Sequence, residues 1–363
     1  MAALDLAILF VVDLLALFAV YLIVSVGLNI QQGITGIPNF GILFAVAGGA
    51  YITGGLSTRL AVSLLGIRTN LDPILQNVSV LQVVNPILTS QPLAAIALLI
   101  LFIIIGGVAG AIMGLISSAP AVRLREDYLA ITLLAFGEIL NVIGIGYTPL
   151  IGGPPGVAVP DILAWAGQYR FYAGTGVLLL VALAIYAYAS YIIDTPFGRT
   201  LKAIRDNENV ARSLGKNITR YRTTSILFGS LLCGIAGTLW VLYSGAVTPT
   251  YARFDWTFLP WLMILLGGMG TNRGTLVGTL TFVTLNKLIV YYKSVFVGIL
   301  PFDVVWLNYI LLGLITILIL IYRPEGIIRE TRTGDKTVSS VDQKTDTRSV
   351  DFKSKLASSE RVQ

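Results

Sequence analysis

The chain has 363 residues, 55% of them hydrophobic and 12% charged, with a net charge of +6 and a mean hydropathy of +0.81. A water-soluble domain carries about twice that charged fraction, so a soluble globular protein is excluded, and no stretch reads as a nucleic-acid-binding surface. With no histidine and one cysteine, Cys233, the chain forms neither an internal disulfide nor a Cys/His metal site.

Apolar runs of about 18 residues or more recur along the chain, each long enough to cross a bilayer. They read as spans at 4–28, 39–62, 93–119, 128–148, 173–193, 224–245, 257–271, 275–293 and 304–322. The expected fold class is all-α: a polytopic membrane protein of about eight or nine transmembrane helices, with a transmembrane unit at 1–322 and a tail at 323–363. The first run has no basic segment before it and carries Asp5 and Asp13, unlike a cleavable signal peptide.

In the first hairpin, SVGLNIQQGITGIPNFG, residues Asn29, Gln31, Gln32, Thr35 and Asn39 are too polar to face lipid. Gly33, Gly36 and Pro38 interrupt any helix there. Two readings stay open. One is an ordinary tight turn. The other is broken backbone buried in protein or lining a cavity, which places Asn29, Gln32 and Asn39 in a substrate pathway or gate.

Residues 66–92 read as a looser external segment with Pro73, Pro86 and Pro92, and Asn77-Val78-Ser79 fits a glycosylation sequon. Gly106, Gly110 and Gly114 then form two overlapping GxxxG spacings, which admit a neighbouring helix at close range. Glu138 falls about halfway along the next span, with Asn141 nearly one turn later. An ionisable residue at that depth is costly and faces a cavity or a partner; a protonated or hydrogen-bonded structural carboxyl is the other reading. IGGPPGV at 151–157 is a rigid external turn.

A charged island follows at 195–223, TPFGRTLKAIRDNENVARSLGKNITRYRT. Arg199, Lys202, Arg205, Arg212, Lys216, Arg220 and Arg222 face only Asp206 and Glu208 in opposition. A basic loop between spans belongs on the cytoplasmic side. Alternation from that point gives an outer N-terminus and an inner C-terminus. Thr195 as N-cap and Pro196 at the first helical position open a helix. Phe197, Leu201, Ile204, Ala211 and Leu214 form an apolar stripe along it, and Gly215 stops it. Such a helix lies on lipid, packs on its own protein, or fills a groove on a partner.

Beyond the island, Gly267, Gly268, Gly270, Gly274 and Gly278 crowd around Thr271-Asn272-Arg273. The apolar run before them is too short for a comfortable crossing, which suggests a broken or re-entrant helix, with Gly270, Gly274 and Gly278 as packing positions. From Arg323 the chain turns polar, with nine basic and seven acidic residues and little apolar content, and disorder is expected.

An energy source is missing from the sequence. Gly215-Lys216 lacks the rest of a phosphate loop, no GxSxG elbow is present, and triads that need histidine are impossible. Enzymatic activity is therefore not expected. The chain reads as a passive membrane half whose engine is a separate polypeptide.

GLNIQQGITGIPNFG, RLREDYLAITLLAFGEI, GGPPG, LKAIRDNENVARSLGKNITRYR, LLGGMGTNRGTLVG and RPEGI occur in that order. Together they resemble the permease subunits of branched-chain amino-acid (LIV-type) ABC importers, the M-type subunit in particular. The resemblance covers most of residues 25–327. It implies that the island is the loop that docks on the ATPase, through Leu201, Ile204, Arg205, Ala211, Leu214 and Gly215. The wider importer class has E-A-A, three residues, then Gly in this loop. Here Ala211 and Gly215 match, while Asn209 and Val210 stand in the other two places. The resemblance also implies a plasma-membrane location, a second permease subunit and an external solute-binding protein. ATP would be used by partner ATPase subunits, with no cofactor in this chain. Leucine, isoleucine and valine are the implied cargo, although similar loops serve carriers of other amino acids or urea. A secondary transporter driven by an ion gradient through Glu138 is the alternative.

Overall fold

The computed structural model describes residues 2–124, 126–291, 310, 313–314, 317–318, 321–322 and 325–330. The chain divides into one compact unit, Met1–Ile328, and a second, Arg329–Gln363. Of the second unit only Arg329 and Glu330 are described, so the expected disorder of the tail from 331 onward lies outside the described residues. Much of the expected span at 304–322 lies outside them as well.

The first unit is built from helices. α1 (Ala2–Leu28) runs into a π-helical turn at Asn29–Ile34, and α2 (Ile42–Leu64) follows. α3 (Asn77–Ser90), α4 (Pro92–Arg123), α5 (Glu126–Gly146) and the single turn α6 (Thr148–Ile151) come next. α7 (Arg170–Asp194) leads to the island helices α8 (Pro196–Asp206) and α9 (Glu208–Ser213). α10 (Ile218–Ser244), α11 (Asp255–Gly267) and α12 (Asn272–Tyr291) complete the described helices.

Six helices among the described residues are long and apolar enough to cross a membrane: those at 7–34, 92–121, 128–146, 164–194, 218–244 and 272–291. α2 is not among them, and its composition explains why. Arg59, with Gly48, Gly49, Thr53, Gly54, Gly55, Ser57 and Thr58, lowers its hydropathy, and most of it is buried by other helices. A helix enclosed by protein need not dissolve in lipid.

α10 is central and packs on α4, α2 and α1. Its seam with α4 is glycine-lined, as the GxxxG spacing implies. A Cβ on Gly110 would stand 2.4 Å from the Ser230 carbonyl oxygen, and one on Gly106 would stand 1.7 Å from the Thr238 hydroxyl. At Gly114 the nearest atom is the Ser230 side chain at 2.6 Å. At Gly110 backbone meets backbone, so a substitution there cannot be absorbed by a rotamer change, whereas Gly106 and Gly114 first meet the Thr238 and Ser230 side chains.

α11 has 13 residues, about 20 Å at 1.5 Å per residue, against about 30 Å of hydrocarbon. The chain reverses at 268–271 and returns as α12, with Gly274 and Gly278 pressed on the α11 backbone. A Cβ on Gly278 would lie 2.1 Å from the Met263 carbonyl. Ile327 and Ile328 donate their N–H groups to the Leu266 and Gly267 carbonyls at 2.9 Å each. Residues that the sequence assigns to the tail thus complete the end of α11.

Other expectations are corrected. The 66–92 segment is partly helical, as α3. Asn77 is not an open sequon: it is 6% exposed, donates to Thr58 and Pro73, and accepts the Ala158 N–H at 3.0 Å. The turn after α6 leads into strand β1 (Val157–Ala158), which pairs antiparallel with β2 (Ala246–Val247). Two-residue strands leave no periodicity to read.

Candidate functional site

Two polar regions lie against each other: the island and the broken end of α1. The island opens with Pro196 in the first turn of α8, where a missing N–H costs nothing. Thr195 stands at the N-cap position, but its hydroxyl donates back to the Ile192 carbonyl at 2.6 Å and so does not cap α8. The single expected helix is broken at Asn207, where φ is −157°. The Asn207 side-chain oxygen accepts the Val210 N–H at 3.1 Å and caps a second helix, α9. Gly215 closes α9 in the left-handed region at φ +75°, where its N–H and that of Lys216 return to the Arg212 and Ala211 carbonyls.

Burial sorts the stripe. Leu201, Ile204 and Ala211 are 1%, 2% and 3% exposed, whereas Val210 and Leu214 are 53% and 73% exposed. Ile204 and Ala211 pack with Ile218 and Tyr221, and Phe197 stacks on Tyr221 with centroids 5.7 Å apart. Leu201, Ile204 and Ala211 therefore cover the protein's own interior. Self-packing covers that face, which the sequence offers as the anchor for a partner's groove. Glu208 pairs with Arg212 at 2.7 Å and with Arg222 at 3.0 Å, fixing α9 against α10. What projects outward is a short cap of Val210 and Leu214 beside the exposed Arg212, Lys216 and Arg220.

The broken end of α1 is the second region. Asn29 is fully buried: its oxygen accepts the Gly270 N–H at 3.0 Å, and its amide donates to Asn272 at 3.1 Å. Asn272 in turn donates to Ser190 at 3.0 Å on α7. Gln31 donates to the Ile226 carbonyl and to Ser230 on α10, and accepts from Asn39 at 2.5 Å. Thr35 and Ser225 are 2.6 Å apart, and Trp261 donates to the Asn39 carbonyl. The network spans α1, α7, α10, α11 and α12. Of the two readings left open for this hairpin, buried broken backbone fits and an exposed turn does not. Gln32 is half-buried, and among the described residues its side-chain oxygen has no partner.

The two regions meet at Arg205, which donates from Nη1 to the Gly33 carbonyl and also pairs with Asp206. Glu138 and Asn141 stand apart. Asn141 donates to Glu138 at 3.1 Å, and Glu138 lies on an exposed face of α5 beside Ile139 and Val142. No hydrogen bond among the described residues joins this pair to the network. Asp13, within α1, pairs with Lys287 of α12. Sequence reading missed Asn272, Ser190, Ser225 and Ser230 as partners, since isolated Ser and Asn within apolar runs carry no spacing signal.

Long apolar helices, a glycine seam and a buried polar break define a multi-pass helical membrane protein. The chain matches the family described as "Branched-chain amino acid transport system / permease component" along residues 10–320, and it belongs to that family. It is 40% identical over 318 residues to the "Probable branched-chain amino acid transport permease protein LivM" of Methanocaldococcus jannaschii, covering 86% of this chain and 91% of the relative. It is 25% identical over 346 residues to the "High-affinity branched-chain amino acid transport system permease protein LivM" of Escherichia coli, covering 88% and 70% respectively. The fructose import permease protein FrcC of Rhizobium meliloti is 26% identical over 231 residues, covering 60% of this chain and 61% of its own length. No solved structure matches the chain.

Proposed function

We propose that this chain is a permease subunit of an ATP-driven importer of branched-chain amino acids. The observation that carries the reading is the family match along residues 10–320, which is nearly the whole of the compact unit. A separate ATPase supplies the energy, a solute-binding protein delivers the cargo from outside, and a second permease subunit completes the path.

In this reading the island faces the cytoplasm, as does the C-terminus. The six long apolar helices, with α2, α11 and the 304–322 segment, make about nine crossings. The ATPase is met by Val210 and Leu214, with Arg212, Lys216 and Arg220 around them. Leu201, Ile204 and Ala211 hold that cap rigid from beneath, and Gly215 shapes its far end. Glu138 and Asn141 face the second permease and the path between the two subunits, because a carboxylate at that depth is costly against lipid. Asn29 and Asn39 belong to a gate that is closed by protein partners, with Gln32 at its edge.

The test is to purify the chain with its partner permease, then measure ATPase retention and leucine uptake. Retention of an ATPase, and leucine uptake that requires ATP hydrolysis and the binding protein, support the reading. Uptake driven by a proton gradient with no ATP requirement would replace it with the Glu138 alternative. ATP-driven uptake of another solute such as urea, with leucine excluded, would keep the machine and change the cargo.

A further inference from the structure

We infer that Arg205 is the positioning residue through which the island acts on the broken end of α1. The inference rests on the reading of the island as the ATPase-docking loop and adds the link by which docking reaches the membrane. The backbone accounting at the turn sets it up. Where a helix ends, its last carbonyls lose their ladder partners and need other donors. Around Asn29–Ile34, Ile30 accepts from the Thr35 hydroxyl, Gln31 from the Ile37 N–H, and Gln32 from the Gly36 N–H. The Gly33 carbonyl is served by the Arg205 guanidinium, a permanently charged donor placed at the negative end of the helix.

Small residues make this approach possible. A Cβ on Gly36 would stand 2.9 Å from Arg205 Cγ, so the arginine stem lies directly on the backbone that leaves the π-helical turn. A Cβ on Gly33 would stand 2.1 Å from Asn29 Oδ1 and 2.6 Å from the Gly270 nitrogen. Gly33 is therefore wedged between the island on one side and the Asn29–Gly270–Asn272 network on the other. Displacing α8 moves a guanidinium bonded to Gly33, and Gly33 cannot move without disturbing Asn29. Arg205 is also mostly covered, its side chain 18% exposed, which suits a link inside the chain better than a contact on the docking cap.

The experiment uses the assembled complex in lipid nanodiscs, with leucine-loaded binding protein as the stimulus. Three quantities are read: ATPase retained per permease, the ratio of stimulated to unstimulated hydrolysis, and leucine uptake in liposomes. Arg205→Ala is expected to retain the ATPase at the wild-type level, while the stimulation ratio and uptake fall by about tenfold, the usual scale of a coupling between sites. Arg205→Lys, which restores a charge and a donor, is expected to recover part of both. Arg199→Ala, an exposed basic residue of the same helix, is expected to leave the ratio unchanged.

If Arg205→Ala does not assemble, Arg205→Gln takes its place, and wild-type stimulation in that variant overturns the inference. Wild-type stimulation and uptake in Arg205→Ala overturn it while leaving the docking reading intact. Loss of the ATPase from Arg205→Ala makes Arg205 a docking residue and also overturns it. Equal uncoupling by Arg199→Ala shows a general charge effect and does the same. If the wild-type complex holds no ATPase, the docking reading itself has failed.

Discussion

Gly110→Ala adds one methyl group to the α4–α10 seam, and the geometry fixes what that methyl meets. It would lie 2.4 Å from the Ser230 carbonyl oxygen and 2.7 Å from Gly234 Cα, both backbone atoms. Ordinary non-bonded separations are about 3.5–4.0 Å, so the helices must part by roughly 1 Å. A gap of that size forfeits a quarter to a half of the dispersion energy along the neighbouring contacts, and overpacking of this kind costs about 1–3 kcal/mol. The gain in helix propensity of Ala over Gly returns up to about 1 kcal/mol. The net expectation is a loss of about 2 kcal/mol relative to a site where the methyl fits.

The protein supplies both the control and the reporter. Gly176, in α7, has no atom within 4 Å of an added Cβ, so Gly176→Ala should be neutral or slightly stabilising. Gly107→Ala, facing the movable side chains of Ile235 and Leu231, should fall between the two. Cys233 is the chain's one cysteine and is fully buried, so a thiol-reactive dye reports its exposure on heating. Gly110→Ala should release the thiol about 3 °C below Gly176→Ala. Equal or higher melting of Gly110→Ala would refute the claim that α4 and α10 are in backbone contact.

Leu214→Glu should abolish ATPase capture without lowering the melting temperature, because Leu214 is 73% exposed. Ala211→Glu should instead destabilise the membrane protein itself, by several kcal/mol where a buried carboxylate finds no partner; capture lost by both with equal melting would restore the groove-filling stripe. Asn29→Leu leaves the Gly270 N–H without its acceptor, at about 1–3 kcal/mol, read as an earlier melting transition. Glu138→Leu should insert normally and lose uptake, whereas Glu138→Gln should keep most of it; normal uptake by both would show a carboxyl without a transport role.

The features legible in the sequence came from one-dimensional constraints. Long apolar runs announce spans, glycines four apart announce a close neighbour, and Gly215 after an apolar stripe announces a helix end. Each signal is local and has one physical cause. The kink at Asn207 was less visible because Asn is neutral within a helix until its side chain captures the Val210 N–H. The stripe at Leu201, Ile204 and Ala211 says that a face is apolar but not what covers it. Only the return of α10, with Ile218 and Tyr221, decides that. The same limit applies to Asn77, whose sequon is legible but whose burial depends on Thr58 and Ala158.

The pairing of Asn29 with Asn272 has a consequence for biosynthesis. These two amides are 243 residues apart, so the first span emerges from the ribosome long before its polar end has a partner. An unsatisfied group in hydrocarbon costs several kcal/mol, and the end of α1 must be sheltered by the insertion machinery while most of the chain is made. A ribosome that stops before Gly270 releases a protein whose first helix still displays Asn29 uncovered. Closure of this network therefore waits on the synthesis of Gly270 and Asn272, far along the chain from the helix end that they cover.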